Sequence, residues 1–444
     1  MTKNMTVGNT WKHLISFAIP MILGNLFQLT YNAVDSIIVG RFAGENALAA
    51  VGTANPIMNI IIFFIIGICM GASVLMSEFY GAGEVNKLKK EIATTISIGS
   101  IFTILITFIC FLLVKPILKL IHTPNEILTD ATTYLRIIFL GLIFTFLYNV
   151  FAATLRSIGD SKTPIYFLMI SAIINAGLDY IFIAKFHYGV VGAAYATIIA
   201  EAVSSILCIG YTYIKVPMLR LKYSDLHFER SMALKTISYS WYTSMQQTVL
   251  YVGKVMVQSA VNPLGISAIA TFNAVNRVDD FAFMPEQSIS HSMTTFIAQN
   301  RGAKQDERIK NGFRVGMRIE TIYWGILFLV VFFGATSIMK LFVTDKDISV
   351  VTLGTNYLQA MAFFYLLPAY TNGIQGYFRG MGKLNVTLAA TVIQMITRVL
   401  FSYILAPSLG IKGIAYACFL GWTAMLLFEV PFYFWFQWKN RNAQ

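Results

Sequence analysis

The sequence predicts an all-α polytopic membrane protein with twelve transmembrane helices. Of its 444 residues, 57% are hydrophobic and 12% are charged, whereas about a quarter of the residues in a soluble chain are charged. A transmembrane helix needs roughly 20 apolar residues, and apolar runs of that length follow one another along nearly the whole chain. This composition excludes a large aqueous domain, a secreted disulfide scaffold and a single-span receptor.

The apolar runs, bounded by glycine, proline and charged residues, place six predicted spans in each half of the chain. The spans of the first half cover residues 12–38, 51–77, 92–114, 127–152, 164–184 and 191–214. Those of the second half cover residues 236–261, 268–297, 313–339, 349–376, 386–406 and 413–437. A thiol in such a run behaves as a small hydrophobic side chain, so we expect neither a disulfide nor a metal cluster from the four cysteines: Cys69, Cys110, Cys208 and Cys418.

The net charge of +12 predicts membrane topology rather than nucleic-acid binding. If the N-terminus is cytoplasmic, 21 of the 33 lysine and arginine residues fall in cytoplasmic segments and 7 fall in external segments. Positive charges concentrate on the cytoplasmic side of a membrane protein. We therefore expect a multi-pass protein of the plasma (inner) membrane, with both termini in the cytoplasm, no cleaved signal peptide and no nucleic-acid partner.

The two halves of the chain resemble each other at a nearly constant shift. The segment Gly44–Ala50 (GENALAA) matches Gly265–Thr271 (GISAIAT) 221 residues later, and matches farther along the chain keep the shift at 221 to 223. Because six spans are an even number, the second half enters the membrane in the same direction as the first. We therefore predict two six-helix bundles, residues 1–220 and 221–444, related by a pseudo-twofold axis along the membrane normal.

Acidic residues inside the predicted spans mark candidate ion or substrate sites, because an ionisable group in a membrane is costly unless it is paired or hydrated. Asp35 and Asp179 are the acidic residues deepest in the first half. Gln28 shares a helical face with Asp35, and Asn175 shares one with Asp179 at i, i+4. If these faces meet, they and the Thr197 hydroxyl would form an oxygen-rich site for Na+ or a proton. The alternative is a structural hydrogen-bond cluster that holds the spans together.

Seven motifs follow one another across nearly the whole chain: VDSIIVGR (Val34–Arg41), ALAAVG (Ala47–Gly52), FYGAGE (Phe79–Glu84), LRSIGDSKTP (Leu155–Pro164), NAGLD (Asn175–Asp179), GAAYAT (Gly192–Thr197) and NRVDDF (Asn276–Phe281). Their order and spacing resemble the multidrug and toxic compound extrusion (MATE) family, within the wider multidrug/oligosaccharidyl-lipid/polysaccharide exporter superfamily. The resemblance implies a secondary active antiporter rather than an enzyme. Such a protein exchanges external H+ or Na+ for cytoplasmic, mostly cationic or aromatic organic compounds by alternating access. No cofactor is implied beyond H+ or Na+ as the coupling ion.

The resemblance also implies roles for particular residues. Four of them match the cation site of the family's first lobe, as ligands of the proton or of Na+: Asp35, Asn175, Asp179 and Thr197. Two more match neighbouring polar partners: Gln28 and Tyr134. Pro20 matches a proline of the first span, where bending is proposed to follow protonation of the lobe; the alternative is a static kink.

The second half departs from one pattern within the family. Some members carry acidic residues in spans seven and ten, whereas Ser238–Tyr251 and Thr371–Gly380 here contain glutamines and no carboxylate. Glu286, in the middle of span eight, is a candidate for contact with substrate in the cavity; the alternative is a structural carboxylate. Asp280 follows Arg277 at the i, i+3 spacing, and this spacing predicts a salt bridge between them.

A flippase for lipid-linked oligosaccharides, from the same superfamily, is the alternative function. Resembling flippases often have fourteen spans and several arginines in the cavity, so twelve spans favour the antiporter, while Arg136, Arg277 and Arg398 leave the flippase open. A channel or receptor is the remaining functional class. We expect a monomer in the lipid bilayer that binds small organic cations or aromatic compounds.

Overall fold

Helix is the only regular secondary structure in the part of the chain that the structure describes. The computed structural model describes residues 3–222, 225, 229–342 and 348–442. The six predicted spans of the first half correspond to six α-helices: α1 Thr10–Phe42, α2 Glu45–Gly81, α3 Val85–Leu120, α4 Asn125–Ser157, α5 Lys162–Asp179 and α6 Gly189–Lys215. A π-helical turn, Tyr180–Lys185, follows α5 directly.

The second half contains seven α-helices in its described residues: α7 Arg230–Val261, α8 Ile266–Gly302, α9 Asp306–Phe342, α10 Ile348–Phe364, α11 Leu366–Gly380, α12 Leu384–Leu409 and α13 Ile411–Asn442. The predicted tenth span is divided at Tyr365 into α10 and α11, whose directions differ by 42°. Pro368, near the start of α11, has no N–H to donate to the carbonyl of Phe364 one turn earlier. The sequence did not predict this bend, because a proline inside a span does not always interrupt the helix. Pro20, for example, lies inside an uninterrupted α1.

Nine described helices are long and apolar enough to cross a membrane, and the bent pair α10 and α11 makes a tenth candidate span. The helices α7 and α8 contain 32 and 37 residues and are more polar. At about 1.5 Å per residue both exceed the ~30 Å hydrocarbon core of a bilayer. The buried side chains of α8 include Asp279, Glu286 and Gln299. A helix of this kind keeps its polar groups inside the protein and away from lipid.

The chain divides into two compact units. Unit 1 contains Ile19–Ser244 together with the first residues of the chain, and unit 2 contains Thr6–Ala18 and Met245–Gln444. The boundary between the units therefore divides α1 between Ala18 and Ile19, and it divides α7 between Ser244 and Met245. Each unit thus includes part of a helix from the other half of the sequence.

Hydrogen bonds hold both of these helix segments inside their units. In unit 2, Ser292 Oγ of α8 donates to the carbonyl of Leu14 at 2.9 Å, and Leu14 is 1% exposed. In unit 1, Thr243 Oγ1 of α7 donates to the carbonyl of Gly67 in α2 at 2.6 Å. Ser244 Oγ donates to the carbonyl of Phe64 at 2.8 Å. The first part of α7 is therefore fixed closely against α2.

The helix α4 forms the centre of unit 1. It packs against α2, α3 and α6, and more than half of its residues are buried. The ring of Phe146 fills the space beside Gly99 of α3, where any side chain would overlap it. This central position carries Tyr134 of α4 into the interior of the unit, where it is 5% exposed.

All four cysteines are buried free thiols. Cys69, Cys110 and Cys208 belong to the hydrophobic core of unit 1, and Cys418 belongs to that of unit 2. They pack as small hydrophobic side chains, which is the role that the sequence predicts for them.

Candidate functional site in unit 1

Asp35 and Asp179 lie on two different helices of unit 1. Asp179 is the last residue of α5 and is fully buried, as is Asn175 one helical turn earlier. The π-helical turn Tyr180–Lys185 begins directly after it, and single π turns occur frequently at functional sites. Asp35 lies in the C-terminal part of α1 and is partly buried. The structure therefore places both carboxyl groups inside the unit.

The carboxyl groups of Asp35 and Asp179 are direct neighbours. Ionised carboxylates accept hydrogen bonds but donate none, so the two groups bond to each other only when one of them carries a proton. Both oxygens of Asp179 and Oδ1 of Asp35 are buried, and none of the three has a hydrogen-bond partner among the described residues. Burial of an unpaired charge costs several kcal/mol. The pair therefore needs a proton or a metal cation.

Amide and phenol groups surround the carboxyl pair. The hydroxyl of Tyr31 in α1 donates a short hydrogen bond to Asn175 Oδ1, while Asn175 Nδ2 is buried and has no partner among the described residues. The hydroxyls of Tyr31 and Tyr134 both lie within electrostatic range of Asp35 and Asp179. A cation at the pair would thus meet amide and phenol oxygens in addition to carboxylates, which is the oxygen-rich environment that hard cations prefer.

Glu201 of α6 is a third acidic residue near the pair, and the sequence analysis did not identify it. Its carboxylate accepts a short hydrogen bond from the Thr145 hydroxyl of α4, and it lies within electrostatic range of Tyr31 and Tyr134. The sequence did contain a pattern that indicates Glu201: it follows Thr197 by four residues and so lies on the same face of α6. The carboxyl pair and Glu201 therefore act electrostatically on the same two tyrosines.

The other predicted site residues are not gathered at the carboxyl pair in the same way. The Thr197 hydroxyl donates to the carbonyl of Ala193 in its own helix at 3.0 Å, which leaves its oxygen lone pairs available. Gln28 is exposed. Pro20 lies inside α1, about four helical turns before Asp35. The geometry thus joins Asp35, Asp179 and Asn175, with Tyr134 in range.

The structure gives neither carboxyl of the pair a basic partner among the described residues. The negative charge is therefore not balanced by a lysine or arginine, as it would be in a structural salt bridge. Chemically, the arrangement can take up one proton between the two carboxyl groups. It can equally take up one Na+ that contacts carboxylate and neighbouring neutral oxygens.

The charged residues of the second half are arranged differently from the expectation. Asp280 accepts a hydrogen bond from Lys254 Nζ of α7 at 2.9 Å, so the predicted salt bridge between Arg277 and Asp280 is wrong. A partner on the neighbouring helix provides the cation, and Arg277 is exposed. Glu286 is fully buried in unit 2, within electrostatic range of Glu320 of α9.

Two of the arginines that left the flippase open are occupied by internal contacts. Arg136 lies over the ring of Phe111, with its guanidinium carbon 5.0 Å from the ring centre. Arg398 is 9% exposed and acts on Asp279 and Cys418 within unit 2. Neither guanidinium is presented as an open anion-binding group.

The model of the MatE family matches this chain twice, over residues 20–181 and 243–404. The second match begins 223 residues after the first, which is the shift found between the two halves of the sequence. The double match confirms the internal repeat.

Relatives with assigned names align with nearly the whole chain. Probable multidrug resistance protein YoeA of Bacillus subtilis is 27% identical, over 100% of this chain and 97% of the relative. Probable multidrug resistance protein YpnP of the same organism is 26% identical, over 93% and 92% of the two chains. Probable multidrug resistance protein NorM of Thermotoga maritima is 24% identical, over 97% and 93%.

Solved structures share the fold. A MATE structure in the bent conformation has a TM-score of 0.92 at 21% identity and covers 100% of both chains. A MATE complex with MaL6 has a TM-score of 0.91 at 21% identity and covers 97% of both chains. This likeness confirms the predicted class, an all-α polytopic membrane protein with 12 transmembrane helices in two bundles.

The family model covers most of both halves, and the alignment with YoeA covers the whole chain. The acidic pair lies within the first of the two matched segments. The chain therefore belongs to the MatE family of membrane transporters.

Proposed function

We propose that this protein is a secondary active multidrug efflux antiporter. It exchanges external H+ or Na+ for cytoplasmic, mostly cationic or aromatic organic compounds by alternating access. The coupling ion binds at Asp35 and Asp179, with Asn175 and Thr197 as further oxygen donors. It acts as a monomer in the plasma (inner) membrane, with both termini in the cytoplasm.

The carboxyl pair is the observation that carries this proposal. Two neighbouring buried carboxyl groups without a basic partner have a strong electrostatic need for a cation. A transporter can use that need if the pair is reached from outside in one conformation and is closed off in another. A ligand shifts such an equilibrium only by its difference in affinity between the two conformations. Ion binding at Asp35 and Asp179 that favours the outward-open state then weakens substrate binding, and the two ligands compete through conformation.

The substrate class is proposed from the relatives and from composition. YoeA, YpnP and the Thermotoga NorM are all named as probable multidrug resistance proteins. Aromatic residues make up 14% of this chain, and aromatic faces attract organic cations. The flippase alternative is not favoured, because Arg136 is partly buried and lies over the ring of Phe111, and Arg398 is buried and acts on Asp279.

Purified protein in liposomes tests the proposal. We expect efflux of a fluorescent organic cation when an external Na+ gradient or an acidic external pH is imposed, and we expect no efflux without either gradient. A K+ gradient of the same size is the control for osmotic and potential effects. Transport that runs equally fast without any ion gradient would contradict the proposal, and scrambling of a lipid-linked oligosaccharide in its place would support the flippase.

Pro20 provides a second prediction, which concerns the bending of α1. Alanine at this position restores an N–H that can bond to the carbonyl one turn earlier, and removing a proline from a helix interior is worth up to ~3 kcal/mol. We expect Pro20→Ala to melt at a higher temperature while gradient-driven efflux slows by about tenfold, or about 1.4 kcal/mol. Thermal unfolding and liposome efflux measure the two effects.

Pro56 of α2 is the matched control for this change, since it also lies inside a helix of unit 1. We expect Pro56→Ala to leave the efflux rate near that of the unmodified protein. If Pro20→Ala also transports at the unmodified rate, Pro20 makes a static kink and has no role in coupling.

A further inference from the structure

A second pair of buried carboxyl groups lies in unit 2, one on α8 and one on α9. Glu286 of α8 and Glu320 of α9 are both 0% exposed, and the carboxyl group of Glu286 lies within electrostatic range of that of Glu320. The helices α8 and α9 pack side by side, and α11 contacts both of them. The pair therefore lies in the middle of a three-helix contact inside unit 2.

Most of the hydrogen-bonding capacity of this pair is unused. Glu286 Oε1 and both carboxyl oxygens of Glu320 are buried without a hydrogen-bond partner among the described residues. The fourth oxygen, Glu286 Oε2, accepts one long hydrogen bond from Asn372 Nδ2 of α11 at 3.4 Å. Native proteins rarely leave three buried carboxyl oxygens unsatisfied. A structural role alone thus does not account for the pair.

The groups that face the pair are acidic or neutral. Asp279, two helical turns earlier on α8, accepts a hydrogen bond from the Tyr365 hydroxyl at 2.5 Å. The Tyr323 hydroxyl of α9 donates to the carbonyl of Ala282 at 2.9 Å. Both Tyr365 and Tyr323 are within electrostatic range of Glu286. None of these groups supplies a positive charge to Glu286 and Glu320.

The basic side chains nearby in the same unit are directed to other partners. Lys254 pairs with Asp280 at 2.9 Å, and Arg398 acts on Asp279, Tyr357 and Cys418. Among the described residues, no lysine or arginine acts on Glu286 or Glu320. Two ionised carboxylates side by side in a buried site, without a compensating cation, are strongly unfavourable. A positive charge must therefore reside at the pair itself.

We propose that Glu286 and Glu320 form a second proton-binding site, in which the two carboxyl groups hold at least one proton between them. A proton removes the negative charge of one carboxylate and gives that carboxyl group an O–H donor. It requires no cavity and no further oxygen ligands, whereas a metal ion requires several. The site gives the second half a titratable centre, even though spans seven and ten have no carboxylate. A role of this site in transport rests on the proposed function, whereas the presence of a proton at the site does not depend on it.

Infrared spectroscopy of the purified full-length protein tests for this proton directly, because a protonated buried carboxyl absorbs separately from an ionised one. We expect a protonated-carboxyl band at neutral pH that loses intensity in Glu320→Gln and in Glu286→Gln. The double variant Asp35→Asn, Asp179→Asn loses whatever Asp35 and Asp179 contribute to the band. The part of the band that comes from Glu286 and Glu320 should remain in this variant. Glutamine has nearly the same shape as glutamate, and an unchanged melting temperature shows that each variant is folded.

Glu307 of α9, on the same helix as Glu320, is the matched control. It is exposed and accepts a hydrogen bond from Lys310 Nζ at 2.7 Å, so its carboxylate is ionised at neutral pH and Glu307→Gln should leave the band unchanged. A band of full intensity in both Glu320→Gln and Glu286→Gln would overturn the proposal. A band that added Na+ abolishes at constant pH would also overturn it, because the pair would then be a Na+ site. Failure of ion-driven transport leaves the band unaffected, so the two proposals fail separately.

Discussion

Replacing Asp35 or Asp179 with Asn is expected to abolish gradient-driven efflux while the protein still inserts and folds. Asparagine has the same shape as aspartate but takes up neither a proton nor a compensating charge. Each variant therefore removes the electrostatic need that attracts the coupling ion. We expect the efflux rate in liposomes to fall by at least about tenfold, or about 1.4 kcal/mol. Because a buried charge is removed, the melting temperature should stay the same or rise.

The matched control for this pair is Glu126→Gln. Glu126 is an exposed acidic residue in the first turn of α4, in the same unit. Its replacement removes the same formal charge from the protein without touching the candidate site, and we expect the efflux rate to remain unchanged. If Asp35→Asn transports at the rate of the unmodified protein, the assignment of the coupling site to this pair is wrong. An equal loss in Glu126→Gln would mean that net charge, rather than the pair, controls transport.

Replacing Gly67 with Val is expected to destabilise unit 1. A side chain at Gly67 of α2 would lie 2.7 Å from the backbone nitrogen of Ser244 in α7. The helix backbone at Ser244 cannot move aside as a flexible side chain can, and the Ser244 hydroxyl also bonds to the carbonyl of Phe64 in α2. Overpacking a close contact costs roughly 1–3 kcal/mol, so we expect a melting temperature several degrees lower, measured by thermal unfolding in detergent.

Gly210 of α6 serves as the comparison, because nothing lies within 4 Å of the position that its side chain would occupy. Val at Gly210 makes the same chemical change inside a helix of the same unit without a steric conflict. We expect its melting temperature to stay close to that of the unmodified protein. If Gly67→Val and Gly210→Val melt at the same temperature, the contact between α2 and α7 is not close in solution.

Helix positions could be predicted well from this sequence because a lipid environment demands long apolar runs. The run at 92–114 became α3, Val85–Leu120, which extends beyond the run at both ends into polar residues that the apolar criterion ignores. The bend at Tyr365 could not be predicted, since proline occurs both at bends and inside uninterrupted helices of this chain. Whether Pro368 bends its span depends on the packing around it, which is a property of the folded unit.

The candidate site could be predicted in part, because acidic residues in apolar runs are costly and therefore informative. Asp35 and Asp179 were identified in this way, and the structure brings their carboxyl groups together. Glu201 and Glu320 also lie in predicted spans and carry the same signal. Which acidic residues become neighbours depends, however, on the rotation of each helix relative to the others. One sequence gives the periodicity within a helix but not that rotation.

The buried thiols have a practical consequence for following the motion of this protein. Cysteine reacts with labelling reagents as an accessible thiolate, and the exposed fractions of the four native cysteines lie between 0% and 8%. A cysteine introduced at a surface position would thus react far faster than any native one. Spin labels or fluorophores can be attached at chosen sites on a chain that keeps its natural core, and distances between them can be followed as gradients are applied.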